Sequence, residues 1–341
     1  MVNNLIYPSF IKENACIGVP APSAGADNAE RINKSLNAKK TLEELGYKLV
    51  LSKNLLKSEK GRSAPAKERA KEINDMFKNK NIDIILCAAG GEFLLEILPY
   101  IDFDVIRENP KFIAGFSDPT GLLYPITTKL DIATIYGQNF TSFGSESLHQ
   151  SQEDFLEIVK GNLKEEHSYE LYENEYVEKK TGLENYNLTQ KVYWHTLNGD
   201  SVRLKGRIIG GCFDLIANLA GTKYDGINEF NEKHKNDGII WYFDNCELSK
   251  EETIRVLWKM NELGYFKYTK GVIFGRFGVD TTYFDYDTKT CLKDSILSEL
   301  NIPVIYDADI SHKAPCLTII NGAMVEVNVE DGKANILFEF K

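Results

Sequence analysis

The alternation of short apolar, β-rich runs with amphipathic helical patterns between residues 15 and 136 constrains this chain more than any other feature. Apolar runs at 15–19, 48–51, 82–87, 111–115 and 132–136 are separated by helical patterns at 29–45 and 64–77 and by a short helix opening at Pro119. Strands joined through helices return in the same direction, so this order predicts a mostly parallel sheet with helices on its faces. The first helix carries Ile32, Leu36, Leu42 and Leu45 at spacings near three and four, which predicts one apolar stripe laid on that sheet. The expected fold class is α/β, with a parallel-sheet domain of Rossmann or flavodoxin-like type over residues 1–150.

Beyond residue 150 the periodicity weakens, and residues 151–204 read as a connecting segment rich in Glu, Lys, Tyr and Asn. Order returns in apolar runs at 204–211, 238–243, 271–274 and 303–306, a helix at 250–263 and an alternating stretch at 323–340 that predicts a hairpin. At 341 residues the chain exceeds the usual size of one domain. Residues 205–341 are therefore expected to form a second, α+β and β-rich domain.

A net charge of −10 argues against a nucleic-acid groove, which needs clustered Lys and Arg, and leaves a small molecule or short peptide as the expected partner. No run approaches the roughly 18 apolar residues of a membrane span, and residues 1–10 carry no secretory pattern, so no membrane association and a cytoplasmic location are expected. The cysteines (Cys16, Cys87, Cys212, Cys246, Cys291 and Cys316) form no C-x-x-C pair and lie mostly in apolar runs, as reduced, buried thiols do. The histidine spacings match no H-x-x-x-H or H-E-x-x-H pattern, so neither a metal nor a cofactor is expected.

Three segments carry residue types suited to chemistry. In Gly115-Phe116-Ser117-Asp118-Pro119 a strand ends at glycine and Pro119 suits a first helical position, with Asp118 as its N-cap. Such a turn puts Ser117 at the carboxyl edge of the sheet beside free backbone N–H groups, like the nucleophile elbow of hydrolases but with Pro119 in place of the second glycine. Ala88-Ala89-Gly90-Gly91 ends the preceding strand at the same edge, where glycines admit a substrate close to the backbone and supply a further oxyanion donor. A phosphate loop is the rival there, although neither nucleotide fingerprint is complete. His312 follows the strand at 303–306 on a loop where it can act as general base, whereas His149, His167 and His234 read as solvated surface. The strand 238–243 runs out into acids at Asp244 and Glu247, either of which can orient an imidazole or cap the next helix. Cys246 lacks any neighbouring base in the sequence and is set aside as a nucleophile.

Taken together, these segments resemble the LD-carboxypeptidase serine peptidase family, which includes murein tetrapeptide carboxypeptidases and microcin C self-immunity peptidases. The resemblance runs from Ile17-Gly18-Val19-Pro20-Ala21-Pro22 to Ile319-Ile320-Asn321-Gly322. Between them lie Gly90-Gly91, the G-F-S-D-P-T segment, Gly206 to Cys212, Gly275-Arg276-Phe277 and Ser311-His312-Lys313-Ala314-Pro315. It implies a serine peptidase with Ser117 as nucleophile, His312 as base, and the N–H groups of Gly91 and Asp118 as oxyanion donors. The family's acid is Glu; the matching position here is Asp244, one methylene shorter, with Glu247 as the alternative. The resemblance also implies a homodimer. It implies one of two substrates: a muropeptide that loses its terminal D-Ala, or an aminoacyl- or peptidyl-nucleotide whose base stacks on aromatics. Tyr193-Trp194-His195, with Trp194 as a substrate-binding candidate, lies where the immunity branch has such aromatics, and the chain is long for the carboxypeptidase branch, which together favour the second substrate. A non-catalytic binding module on the same two-lobed plan is the alternative function.

Overall fold

A computed structural model describes residues 5–175 and 179–340. The chain opens with β1 (Cys16–Val19), α1 (Ala29–Glu44), β2 (Lys48–Leu51), α2 (Ala66–Lys78) and β3 (Ile84–Leu86). It continues with α3 (Phe103–Glu108), β4 (Phe112–Gly115), α4 (Thr120–Leu130) and β5 (Thr134–Tyr136). These five strands are all parallel, in the spatial order β2-β1-β3-β4-β5. That is the flavodoxin-like order, whose carboxyl edge gathers the loops that follow β1, β3 and β4.

The apolar stripe expected on α1 differs from the one that forms. Ser35, Ala38 and Leu42 face inward, while Leu36 and Leu45 are about half exposed, at 52% and 50%. The small Ser35 and Ala38 let α1 lie close to the turn at 140–144, where a side chain on Gly144 would run into the Lys34 carbonyl. Close approach, rather than large apolar side chains, seats this helix.

The segment read as a connection supplies α5 (Gln150–Val159), β6 (Glu165–His167), β7 (Leu171–Tyr172), β8 (Gln190–Lys191) and β9 (His195–Thr196). Next come β10 (Ser201–Cys212), α6 (Phe213–Leu219), α7 (Ile227–Lys233), β11 (Ile239–Asp244) and α8 (Lys250–Glu262). The chain ends with β12 (Thr269–Gly275), α9 (Thr288–Lys293), β13 (Val304–Ala308), β14 (Ile319–Asn321), β15 (Met324–Glu330) and β16 (Lys333–Glu339). The second sheet has the order β6-β16-β15-β10-β11-β12-β13-β9, with β10 to β13 parallel and β15–β16 a hairpin. Its outermost strands, β6 and β9, come from the 151–204 segment.

Among the ties between the two sheets, two set their relation near the strand ends. β14 leaves the second half and pairs antiparallel with β5, extending the first sheet. At the other tie Cys212 N–H donates to Thr120 Oγ1 at 2.9 Å, joining the end of β10 to the start of α4. This contact requires Gly211, whose φ is +146° and whose missing side chain leaves space for Thr120.

Candidate active site

Ser117 lies between β4 and α4 with φ +69°, a left-handed conformation that costs an L-residue roughly 1–2 kcal/mol. The sharp turn aims its hydroxyl at the second sheet. His312 comes from the loop after β13, and its Nε2 lies 2.9 Å from Ser117 Oγ. Its Nδ1 lies 2.9 Å from Asp244 Oδ1, and the same oxygen accepts the His312 backbone N–H at 3.1 Å. Asp244 is the last residue of β11 and fully buried. Ser117, His312 and Asp244 therefore form one hydrogen-bonded line across the seam between the sheets.

Of the two acids considered, the fold brings Asp244 to the imidazole and leaves Glu247 outside. Glu247 is exposed, and its backbone N–H is held by Asp214 Oδ1 at 2.9 Å. Burial favours a neutral imidazole at position 312, but the Asp244 carboxylate outweighs it and lifts the His312 pKa well above its usual value.

Tyr136, at the end of β5, joins both halves of this line. Its hydroxyl donates to Asp244 Oδ2 at 2.5 Å and accepts the Ser117 N–H at 3.4 Å. Phe116 packs its ring 4.6 Å from the imidazole, centroid to centroid. Neither residue stood out in the sequence; only the register that sets Gly115 beside Tyr136 brings the phenol to the nucleophile.

Among the described residues the N–H groups of Gly91 and Asp118 have no acceptor. Gly91 has φ +150°, and a side chain there would collide with the Ser23 hydroxyl. At Gly90 a Cβ would sit 3.0 Å from Ser117 Cβ and 3.2 Å from its Oγ. Two free donors next to an activated hydroxyl are the elements of an oxyanion hole.

Asp118 does not cap α4 as its sequence position suggested. Pro119 occupies that place, and the Asp118 carboxylate turns inward to accept the Ser23 hydroxyl and, at 2.9 Å, the Leu94 N–H. Burial pushes its pKa up to about 6, against the lowering effect of those bonds. The side chain thereby ties the loop after β3 to the nucleophile turn.

Other expectations are corrected. Trp194 is 1% exposed and donates Nε1–H to Asp309 at 3.0 Å, so its ring is core and not a stacking surface. The accessible aromatic nearby is Tyr193, with its ring beside His195, which stacks on Tyr306. His234 is buried against Asp131, 2.8 Å from Nε2, rather than solvated. Cys246, set aside because no base neighbours it in sequence, has His312 among its electrostatic neighbours, and burial raises its thiol pKa. Among the described residues every cysteine is free, no His, Cys, Asp and Glu cluster could hold a metal, and no helix is long and apolar enough to cross a membrane.

A buried acid, an imidazole and a hydroxyl in line, with unengaged N–H groups beside the hydroxyl, make up the arrangement that acyl-transfer hydrolases use. Residues 17–137 match the LD-carboxypeptidase N-terminal domain and residues 205–327 the LD-carboxypeptidase C-terminal domain, so the chain belongs to the LD-carboxypeptidase family, a family of peptidases. The microcin C7 self-immunity protein MccF of Escherichia coli is 27% identical over 318 residues, which cover 90% of this chain and 89% of that one. A Vibrio cholerae relative named as a carboxypeptidase is 26% identical over 92% of both chains. The solved structure of MccF with aspartyl sulfamoyl adenosine superposes with a TM-score of 0.83 at 25% identity, covering 98% of this chain and 99% of that one. MccF with glutamyl sulfamoyl guanosine gives 0.82 at 26%, over 97% and 98%.

Proposed function

We propose that this protein is a serine peptidase that cleaves an amide bond through an acyl-enzyme. The observation that carries the reading is His312, poised 2.9 Å from both Ser117 Oγ and Asp244 Oδ1. His312 takes the Ser117 proton as the oxygen attacks the amide carbon, and the imidazolium that forms is stabilised by Asp244. The negative charge on the tetrahedral oxygen is received by the Gly91 and Asp118 N–H groups. His312 then protonates the leaving amine, and a water activated by the same imidazole releases the acyl group. Nothing in this sequence of steps calls on a cofactor.

The substrate we favour is a short peptide with a free C-terminal carboxylate, such as a muropeptide tetrapeptide. A role in cytoplasmic turnover of cell-wall peptides, by a homodimer, accords with that substrate. An aminoacyl-nucleotide is the second reading, supported by the exposed Tyr193 ring beside the stacked His195–Tyr306 pair and by the ligands bound to MccF. Burial of Trp194 weakens the sequence argument that favoured it, which leaned on that ring together with Tyr193 and His195.

Hydrolysis of a muropeptide tetrapeptide and of an aminoacyl sulfamoyl adenosine, followed by mass spectrometry with wild type and Ser117→Ala, tests the proposal. Release of D-Ala or of the amino acid by wild type alone supports a serine peptidase and selects its substrate. If Ser117 resists a fluorophosphonate probe and neither compound is cut, the enzyme reading fails and a binding module takes its place.

A further inference from the structure

A cavity of about 420 Å³ opens beside the nucleophile, walled by Ala24, Gly90, Gly91 and Thr141 and by two cations of α1, Arg31 and Lys34. Its Gly90 wall is the residue at which a Cβ would lie 3.2 Å from Ser117 Oγ, so the cavity adjoins the Ser117 hydroxyl. The two cations differ. Arg31 is exposed and already pairs with Asp27 at 3.2 Å. Lys34 is partly buried, and among the described residues its ammonium has no hydrogen bond or ion pair.

The acids near Lys34 are committed elsewhere. Glu184 Oε1 accepts the N–H groups of Lys180 and Thr181, and Glu173 Oε2 accepts the Asn187 N–H. Lys179 adds a like charge. Desolvation lowers the Lys34 pKa, and the Lys179 charge adds to it against the opposing pull of Glu173 and Glu184. Glu92 also lines the cavity, and its charged neighbours are Glu247 and Asp214, with no ion pair to Lys34. A partly desolvated cation that has no ion pair among the described residues, in a cavity that adjoins Ser117, is suited to receive an anion.

We propose that Lys34 receives a carboxylate of the substrate in this cavity, assisted by Arg31 at its mouth. The proposal rests on the peptidase reading and deepens it. An enzyme that removes a terminal residue must tell a chain end from a chain interior, and the charge of the terminal carboxylate is the property that separates them. Lys34 is thus a specificity residue: it does not touch the reacting atoms but selects the end of the chain.

The test is protection of Ser117 from a fluorophosphonate probe by N-acetyl-D-alanine, by its C-terminal amide and by adenosine monophosphate, in wild type, Lys34→Met and Lys34→Arg. One charge-assisted hydrogen bond corresponds to roughly 10- to 100-fold in affinity. N-acetyl-D-alanine should protect wild type and Lys34→Arg, should protect Lys34→Met at least 10-fold more weakly, and the amide should protect none of them better than it does Lys34→Met. Equal protection by acid and amide, or indifference to Lys34→Met, overturns the proposal. Stronger, Lys34-dependent protection by adenosine monophosphate overturns the carboxylate assignment in favour of a phosphate. If Ser117 does not label at all, the peptidase reading fails on its own. Calorimetric titration of the same ligands into the same proteins then decides the subsite without turnover, with binding of the acid lost in Lys34→Met supporting it and absence of binding to wild type refuting it.

Discussion

The phenol of Tyr136 sits between Asp244 and the backbone of Ser117, 2.5 Å from the carboxylate and 3.4 Å from the N–H. The acid is thus held from two sides, by His312 on Oδ1 and by Tyr136 on Oδ2. A shorter acid than the family's Glu reaches the imidazole here with a tyrosine behind it. Replacing Tyr136 by Phe leaves Oδ2 buried and unbonded, which costs about 1–3 kcal/mol. We expect Tyr136→Phe to fold with a lowered Tm and to lose about 10-fold in kcat/KM. Unchanged melting and kinetics would show that the phenol supports neither the acid nor the nucleophile.

Ser117 separates catalytic need from backbone strain. At φ +69° glycine avoids a penalty of roughly 1–2 kcal/mol, offset by the 0.5–1 kcal/mol or so of extra chain entropy it loses on folding. Ser117→Ala and Ser117→Gly should both be inactive, with Ser117→Gly the more stable by about 0.5–1 kcal/mol in urea unfolding. A more stable alanine variant would mean that the turn is relaxed by its surroundings.

Activity and stability should respond to pH in opposite directions. His312 must be neutral to accept the Ser117 proton, and its pKa is well above the ordinary 6.5. The rise of kcat/KM with pH should therefore be centred above 6.5. The stability gained from the His312–Asp244 pair is fully present below about 6.5, the value in the unfolded chain, and is lost as pH climbs through the raised folded value. Asp244→Asn should move the acid limb to lower pH and cut the plateau by about 10⁴-fold. A limb that stays in place in this variant would assign the titration to another group.

Asp118 gives a separable pH signature. With a folded pKa of about 6 against 3.8, it favours the fold when protonated, and that contribution fades as pH rises from about 4 through 6. The loss approaches about 3 kcal/mol at neutral pH, two units at 1.36 each. Asp118→Asn keeps an acceptor for Ser23 and Leu94, so it should raise the Tm at pH 7, change it little near pH 4 and leave Ser117 reactive. A variant less stable at pH 7 would show that the charge itself holds the loop.

The alternation of strands and helices was legible because each strand run is bounded by a helical period, and the serine turn because glycine and proline punctuate it. Ser117, Asp244 and His312 lie at strand ends, where position in the chain already implies position on the sheet edge. Tyr136 was not legible, since a tyrosine ending a buried strand reads as core until the register of β5 against β4 is known. Trp194 misled for the converse reason: an indole in a polar stretch suggests a surface, yet Asp309 supplies a buried partner 115 residues away. The setting of Lys34 in the cavity beside Gly90 likewise depends on tertiary neighbours that no local spacing encodes.

The pairing of β14 with β5 has a mechanical consequence. Ile319–Asn321, which follow His312 along the chain, are stitched into the sheet that carries Ser117, so His312 and Ser117 ride on one hydrogen-bonded frame. Swinging the halves apart would tear that strand from its neighbour before it widened the cleft. The frame is a vice already closed: Ser117 Oγ and His312 Nε2 stand 2.9 Å apart, and no movement of the sheets is needed to bring them together.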